Sequence, residues 1–503
     1  MATPLDTLNF PGDFVLDYAF IVNHKGETVD ITSSITELNV YENIDRPFIT
    51  GEFAFADSNG IVKDNELNLG QEFLVIKVRT PELPIETEKV IDSSEIAFRI
   101  VSVKSDKIEN QFRYVKYAFT TKEFIRDKQV RISKTYQDTY SGMVKDVLNN
   151  ENYLSTDKDV IIEPSRGTKK FTLPDVHPIQ FIDMIRRKAQ SADRENVGFL
   201  FYERLDNQFH FRSFGSLIAN AKTDEENIRT YTYQKAGNRP GQSPKERLLH
   251  IIRLEPKVHH NQITNLNEGY YGSRLGSFDL YTKTYTETTY NHFDEYSKVP
   301  HLNYTEEGEE NDKLPHAQTP DRLGNRLSDY SDYIQLNTVH TTADSNTLTN
   351  PSSTILQQRS QDLNWRQNRI QLEVYGCAGI HAGDVIRVNL PSITQKETLE
   401  PEIEPSYSGT YIIEAIQHRV LFTPVKSHKM LFTCIRDSQE ISISAGVNNN
   451  EAPSTHNKLD IDLTPSHKVK SYTYESFRGT KIFSRRSLPH SSMTIRQTIY
   501  TNP

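Results

Sequence analysis

The strongest constraint on this chain is the repeated alternation of apolar and polar residues from Phe14 to about Thr121. The runs are FVLDYAFIV, SITELNVYE, GEFAFAD, EFLVIKVRT, IAFRIVSVKSD and YVKYAFTTKE. Successive side chains of an extended strand point to opposite faces, so each run offers an apolar face to a core. In EFLVIKVRT, Leu74, Ile76 and Val78 oppose Phe73 and Val75, which predicts a strand at least half covered on both sides. Pro47, DSNG at Asp57–Gly60 and DKIENQF supply turns, and Asn59-Gly60 tolerates the positive φ of a tight hairpin. Six strands without a helical pattern of comparable strength predict a small antiparallel barrel or sandwich.

The period then lengthens. Asp138 is a candidate N-cap for TYSGMVKDVLNN, in which Tyr140, Met143, Val144, Val147 and Leu148 share a helical face. In HPIQFIDMIRRKAQSA, Pro178 suits the first helical position and Phe181, Ile182, Ile185 and Ala189 form the stripe. GFLFYERLDNQFHFRSF, from Gly198 to Phe214, predicts an aromatic hairpin turning at RLDNQ.

From Gly215 to about Ser360 the chain is more polar. NRPGQSP reads as a loop, RLLHIIRLE as a buried strand or short helix, and TEEGEENDK at Thr305–Lys313 as an exposed acidic loop. Strand-like alternation follows Gly276 in a tyrosine-dense stretch. STILQQRSQDLNWRQN offers a helix carrying Trp365, after which RIQLEVYG, GDVIRVNLPS, GTYIIEAIQHRVLF and HKMLFTCIRDS form a second run of strands. Two β units thus flank a helix-containing middle. Beyond Asp437, a stretch rich in Asn, Pro, Ser and Thr predicts an extended arm.

At 503 residues the chain has material for roughly three domains. It has no apolar run of membrane-spanning length, and MATPLDTLNFPGDF lacks the basic-then-apolar order of a secretion signal, so retention in the cytoplasm is expected. Cys377 and Cys434 are the only cysteines, which excludes a disulfide framework and a cysteine-rich metal site and predicts two buried thiols. The net charge of −9 argues against a dedicated nucleic-acid binder. From Ala445 to Pro503 eight Lys or Arg face four Asp or Glu, so this tail carries +4 and the rest carries −13.

The sequence offers little chemistry. It has no GxGxxG opening a helix after a strand, and no GxxxxGK[ST], HExxH or GxSxG, so nucleotide, zinc-protease and serine-hydrolase readings lack support. His259 and His260 are adjacent and would point to opposite sides of a strand, which suits a solvated or structural role rather than chelation. The acidic run from Glu306 to Asp312 lacks the alternating ligands and closing Glu of a calcium loop. The aromatic strands Phe199–Tyr202 and Phe209–Phe214 could stack bases, but only Arg204 and Arg212 are nearby, which favours core packing. No catalytic, cofactor-binding or metal residue is assigned, no cofactor is expected, and the partner-binding residues are unknown.

The order of elements resembles the central hub protein of contractile phage baseplates, the T4-like baseplate hub family. VYENIDRPFITGEFAFADSNG followed by LGQEFLVIKVRTP carries the opening of that likeness, at Tyr41, Glu42, Pro47, Phe48, Gly51, Asp57, Gly70, Gln71 and Glu72. DKQVRISKTYQDTYSGMVKDVL, PIQFIDMIRRKAQSADRENVGFLFYERLDNQFHFRSF, EGYYGSRLGSFDLYTKTY, GDVIRVNLP and GTYIIEAIQHRVLF follow in order, so the resemblance spans about Asp13 to Ser438. It implies a mainly β fold with an α+β middle: two tube-protein-like antiparallel β-barrels plus an outer helix-containing domain. The expected divisions are 1–112 for the first barrel, 113–197 and 246–364 for the outer domain, 198–245 and 365–440 for the second barrel, and 441–503 for the arm. The aromatic hairpin from Gly198 is thereby expected to join the second barrel, whereas Thr305–Asn350 and the tail fall outside the family pattern.

The resemblance further implies a structural, non-enzymatic role in the virion, at the tail baseplate, assembled in the host cytoplasm. A homotrimer would present six barrels, adapt a six-fold tail tube to a three-fold spike and let DNA pass without specific binding. Its partners would be the tail spike protein, the tail tube protein and other baseplate proteins, with no membrane insertion. The alternatives are the hub part of a type VI secretion or phage-like contractile injection particle and a tail-tip cell-wall hydrolase. In the tail, SYTYESF and TKIFSRRS alternate like strands and are expected to extend a sheet edge of an acidic neighbour, helped by Arg478, Lys481, Arg485 and Arg486.

Overall fold

The computed structural model describes residues 7–438 except 68–69, 82–88, 94–97, 110–111, 193–196, 224–227, 234–242, 259–260, 280–282, 297–298, 304–326, 331–332, 340–350, 392–403 and 405–406, together with 473–475 and 481–484. The fold is mainly β. Its first unit contains β1 (Val15–Val22), β2 (Thr28–Asp30), β3 (Ile35–Asn43), β4 (Thr50–Asp57), the short α1 (Ile61–Asp64), β5 (Phe73–Arg79), β6 (Lys89–Asp92), β7 (Phe98–Glu109) and β8 (Phe112–Thr121). The strands run in the order β2-β1-β5-β7-β8-β4-β3, with β6 also on β5. They curl around Phe14, Leu38, Phe53, Phe55, Leu74, Phe98 and Phe119. β8 belongs to this sheet through Thr121, past the expected boundary at 112, because it pairs with β4 and β7 along its length.

Two local details explain the curl. A Cβ on Gly51 would lie 2.1 Å from the Phe119 ring and 2.6 Å from the Asn39 carbonyl oxygen, so that ring packs directly on backbone. Asn59-Gly60 does not close the hairpin expected of it, although Gly60 has a φ of 75°. The Asp57 carboxylate instead accepts the N–H groups of Asn59, Ile61 and Val62 and starts α1. β4 therefore pairs with β3 and β8 rather than with the strand that follows it.

The middle unit contains α2 (Lys122–Gln129), β9 (Thr135–Asp138), α3 (Tyr140–Asn149), β10 (Asp159–Ile162), β11 (Lys169–Thr172), α4 (Pro178–Arg186), β12 (Phe199–Arg204), β13 (Gln208–Ser213) and α5 (Phe214–Thr223). Both expected helical stripes are buried, with Pro178 at the start of α4. The cap of α3 is Thr139 rather than Asp138, its hydroxyl accepting the Gly142 N–H at 3.1 Å. The aromatic hairpin β12–β13 forms as predicted, but it does not join the second barrel. β13 pairs in parallel with β10 in a separate three-stranded sheet. One face of the hairpin, Phe199, Phe201, Phe209 and Phe211, packs on α3 and α4, while Leu200 and Tyr202 pack with Phe214, Trp365, Ile412 and Ile435. A strand apolar on both faces carries no alternation from which its partner could be read.

The third unit contains β14 (Arg229–Tyr233), α6 (Pro244–Arg247), β15 (His250–Val258), α7 (Gln262–Glu268), β16 (Gly272–Asp279), β17 (Thr284–Asn291), α8 (His292–Glu295), β18 (Ile334–Val339), α9 (Pro351–Gln367), β19 (Asn368–Tyr375), β20 (Val385–Asn389), β21 (Gly409–Leu421) and β22 (Ser427–Ile435). Six of these close a ring in the order β14-β15-β19-β22-β21-β20 and back to β14. β15, expected in the outer domain, is therefore a barrel strand, and β14 lies parallel to both its neighbours. Tyr231, Leu372, Ile386, Tyr411, Met430 and Phe432 fill the interior. β16, β17 and β18 form a side sheet against α9. In the tail, β23 (Thr473–Glu475) and β24 (Lys481–Ser484) pair with each other.

Candidate functional site: the barrel junction

β21 is the shared element. One edge pairs with β22, and the other pairs first with β20 at Gly409–Ile412 and then with β3 at Ala415–Leu421. The change of partner falls at Glu414, where the register shifts and the carbonyl accepts the Ile44 N–H. A single strand thus closes one barrel and extends into the other, making a continuous sheet of fourteen strands.

Charged side chains lock this junction from inside. Glu42 of β3 is 1% exposed and accepts the N–H groups of Leu205 at 3.0 Å and Ala382 at 2.8 Å, with His381 Nδ1 at 3.1 Å. Burial pushes its carboxyl up, but the charge and hydrogen bond of His381, the charge of His418 and the Ala382 N–H outweigh burial and hold it at about 2. Burial in turn lowers His381, and the charge and hydrogen bond of Glu42 more than reverse that. Arg204 reaches Asp206 at 3.0 Å within the hairpin and Asp384 at 3.1 Å in the second barrel.

The neighbouring residue points the other way, as a strand requires. Glu203, also 1% exposed, accepts the Ile49 N–H at 3.0 Å and the Thr121 hydroxyl at 2.8 Å and pairs with Lys158, which holds Glu123 at 2.8 Å as well. Burial works against the Lys158 ammonium, yet the charges of Glu203 and Glu123 raise its pKa, whereas Glu203 is raised by burial. The hairpin tip is therefore a wedge: Glu203 binds the first barrel and the helical middle, and Arg204 and Leu205 bind the junction with the second barrel.

One strand edge remains open. β5 pairs with β7 only at Phe73–Arg99 and Leu74–Phe98, so among the described strands the outer edge of β7 beyond Ile100 has no ladder partner. Val101, Val103 and Ile108 on this stretch are 41%, 45% and 78% exposed. Unpaired edges with exposed apolar residues recruit other strands.

Glu42 and Glu203 escaped the sequence reading as site residues, although each had a signal. In Leu38, Val40, Glu42 and in Phe199, Phe201, Glu203, the acid stands in the phase that strand alternation assigns to the core. Phe199 to Phe211 are buried and cannot stack bases, and both cysteines are free and buried. Among the described residues, no three His, Cys, Asp or Glu side chains gather to hold a metal ion, and no helix is long and apolar enough to cross a membrane. His259, His260 and Glu306–Asp312 lie outside the described residues, as do Arg478, Arg485 and Arg486.

No family profile matches this sequence, and no curated protein does. The solved structures that resemble it are phage tail and baseplate proteins and type VI secretion proteins. A tail protein from Neisseria meningitidis MC58 has a TM-score of 0.46 at 9% identity, over 84% of this chain and 96% of that one. The 43 kDa tail protein of prophage MuSo2 from Shewanella oneidensis has a TM-score of 0.47 at 8% identity, over 84% and 99%. A type VI secretion component from E. coli has a TM-score of 0.38 at 8% identity, over 81% and 75%.

Proposed function

We propose that this chain is the structural central hub of a contractile phage tail baseplate. Three copies form a ring that joins the six-fold tail tube to the three-fold spike and leaves a channel for DNA. The observation that carries the reading is the junction itself: two barrel units are fixed edge to edge through β3 and β21, so each chain delivers two sheets in one rigid relation. A three-fold ring of such pairs has six similar units. The open edge of β7 supplies a heterologous contact that closes into a ring when the rotation is 120°. The order of sequence motifs from Asp13 to Ser438 supports the same reading. The hub part of a type VI secretion or phage-like injection particle has the same mechanical task and is told apart by which spike it binds.

The test is reconstitution. Full-length protein mixed with the adjoining tube and spike proteins is expected to give rings in electron micrographs, with six similar lobes on the tube side and three on the spike side. Binding to neither protein, or cleavage of peptidoglycan by a monomer, contradicts the proposal.

A further inference from the structure

A polar cleft of about 340 Å³ opens beside the hairpin, walled by α5, by the start of β14 and by the segment from Gly379 to Ile386. Arg204, Arg212 and Arg229 come to it from three different elements. Arg204 is neutralised by Asp206 and Asp384. The other two are held only by neutral acceptors. Arg212 donates from Nε and one terminal nitrogen to the Ser216 hydroxyl, at 3.0 and 2.9 Å, and to the Ser216 carbonyl. Arg229 donates to the carbonyls of Ala378 at 3.1 Å and Gly379 at 2.9 Å and approaches the Cys377 sulfur. Among the described residues no carboxylate is in ion-pair contact with Arg212 or Arg229. The closest acid to influence Arg212, Glu163, is hydrogen-bonded to the N–H and hydroxyl of Ser213.

Half-buried guanidiniums that are oriented by neutral acceptors and lack a counter-ion are set to receive one. Burial lowers the Arg212 pKa, the direction expected of a cation whose anion is missing. The walls between the arginines are apolar, with Leu217, Ile228 and Ile380. A nucleic-acid backbone needs cations spaced along a path, whereas two guanidiniums between apolar walls suit one carboxylate flanked by aliphatic groups. We propose that this cleft docks an acidic peptide segment of a partner protein, with Arg212 and Arg229 gripping a carboxylate and the three aliphatic side chains taking its apolar flanks. The site goes beyond the hub reading and does not depend on the ring.

Arginine-selective modification by phenylglyoxal, read by mass spectrometry on the full chain, tests it. The probes are a capped Leu-Glu-Leu-Glu peptide, its Leu-Gln-Leu-Gln analogue and inorganic phosphate. At twice its Kd the acidic peptide is expected to slow modification of Arg212 about threefold, the factor set by mass action, while leaving exposed Arg187 unchanged. Neither the glutamine analogue nor phosphate at the same concentration should do so. Arg212→Gln should weaken peptide binding by about tenfold or more, because a charge-assisted bond is lost, with circular dichroism unchanged. Equal protection by the glutamine analogue, stronger protection by phosphate, absence of protection by the acidic peptide, or undiminished binding to the R212Q protein would each overturn the proposal.

Discussion

The first barrel takes all its strands from one stretch, β1 to β8, and pairs them antiparallel throughout, yet it leaves the edge of β7 open. The second gathers β14, β15 and the run from β19 to β22 across long intervening segments and closes completely, including two parallel pairings. Closure removes edges and with them the capacity to recruit another strand. The contrast assigns different tasks: the closed barrel is a fixed frame, and the open unit is where a second chain can add. β3–β21 and the hairpin wedge transmit position from one to the other.

The largest effect is expected from breaking the wedge. Lys158→Ala leaves Glu123 and Glu203 buried without their cation, and removing one partner of a buried pair costs ~3–5 kcal/mol. Urea unfolding should show this loss, and hydrogen exchange should rise at Ile49 and Thr121, which bond to Glu203. An unchanged midpoint would mean that the hairpin does not hold the units together. Gly51→Ala strikes the first barrel alone. Its new methyl would meet the Phe119 ring and the Asn39 carbonyl, for a loss of ~1–3 kcal/mol by overpacking. Thermal melting that shows no loss would contradict the close packing of ring on backbone.

Acid should act on the closed barrel and the junction in two stages. Burial holds His418 neutral, with a pKa lowered to about 4 from 6.5, and lowers its stacked neighbour His428 further. The unfolded chain binds these protons first, so their contribution is intact above pH 6.5 and declines as pH falls below it. Glu42, held at about 2 against 4.5, contributes stability above pH 4.5 that is lost as pH falls toward 2. A melting temperature that stays level from pH 7 to 5 contradicts the first stage, and an acid limb below pH 4.5 identical in Glu42→Gln contradicts the second. A smaller effect is expected at the open edge: Val103→Lys should leave monomer stability within ~0.5 kcal/mol, since the side chain is exposed, while weakening self-association in light scattering.

What the sequence disclosed follows the same contrast. Alternation placed most strands of the first unit and the four from β19 to β22, and the helical stripes of α3 and α4 were legible because their apolar residues recur at i, i+3 and i+4. β14 and β15 were not placed in the barrel, because RTYTY is too short and polar to announce a parallel strand and HIIRLE is apolar without a clear period. The hairpin β12–β13 was recognised but assigned to the wrong neighbour, since both its faces are buried. Glu42, Glu203 and Arg204 became a site only once the wedge was seen, for no local pattern tells an inward-facing acid that its partners stand some 160 residues away, as the bonds from Leu205 to Glu42 and from Ile49 to Glu203 do. The Thr305–Asn350 insertion lies largely outside the described residues, and the tail strands pair with each other there.

The net charge of −13 outside the tail predicts that assembled rings hold DNA weakly, with filter binding that shows no tight, salt-sensitive retention. Tight retention would contradict a channel through which DNA slides. The most direct test of the account is the mass of the full-length protein by light scattering, alone and with the spike protein. The account predicts three times the 57.9 kDa chain mass for the hub component, reached alone or on adding the spike. A protein that remains a monomer or a stable dimer under both conditions contradicts it.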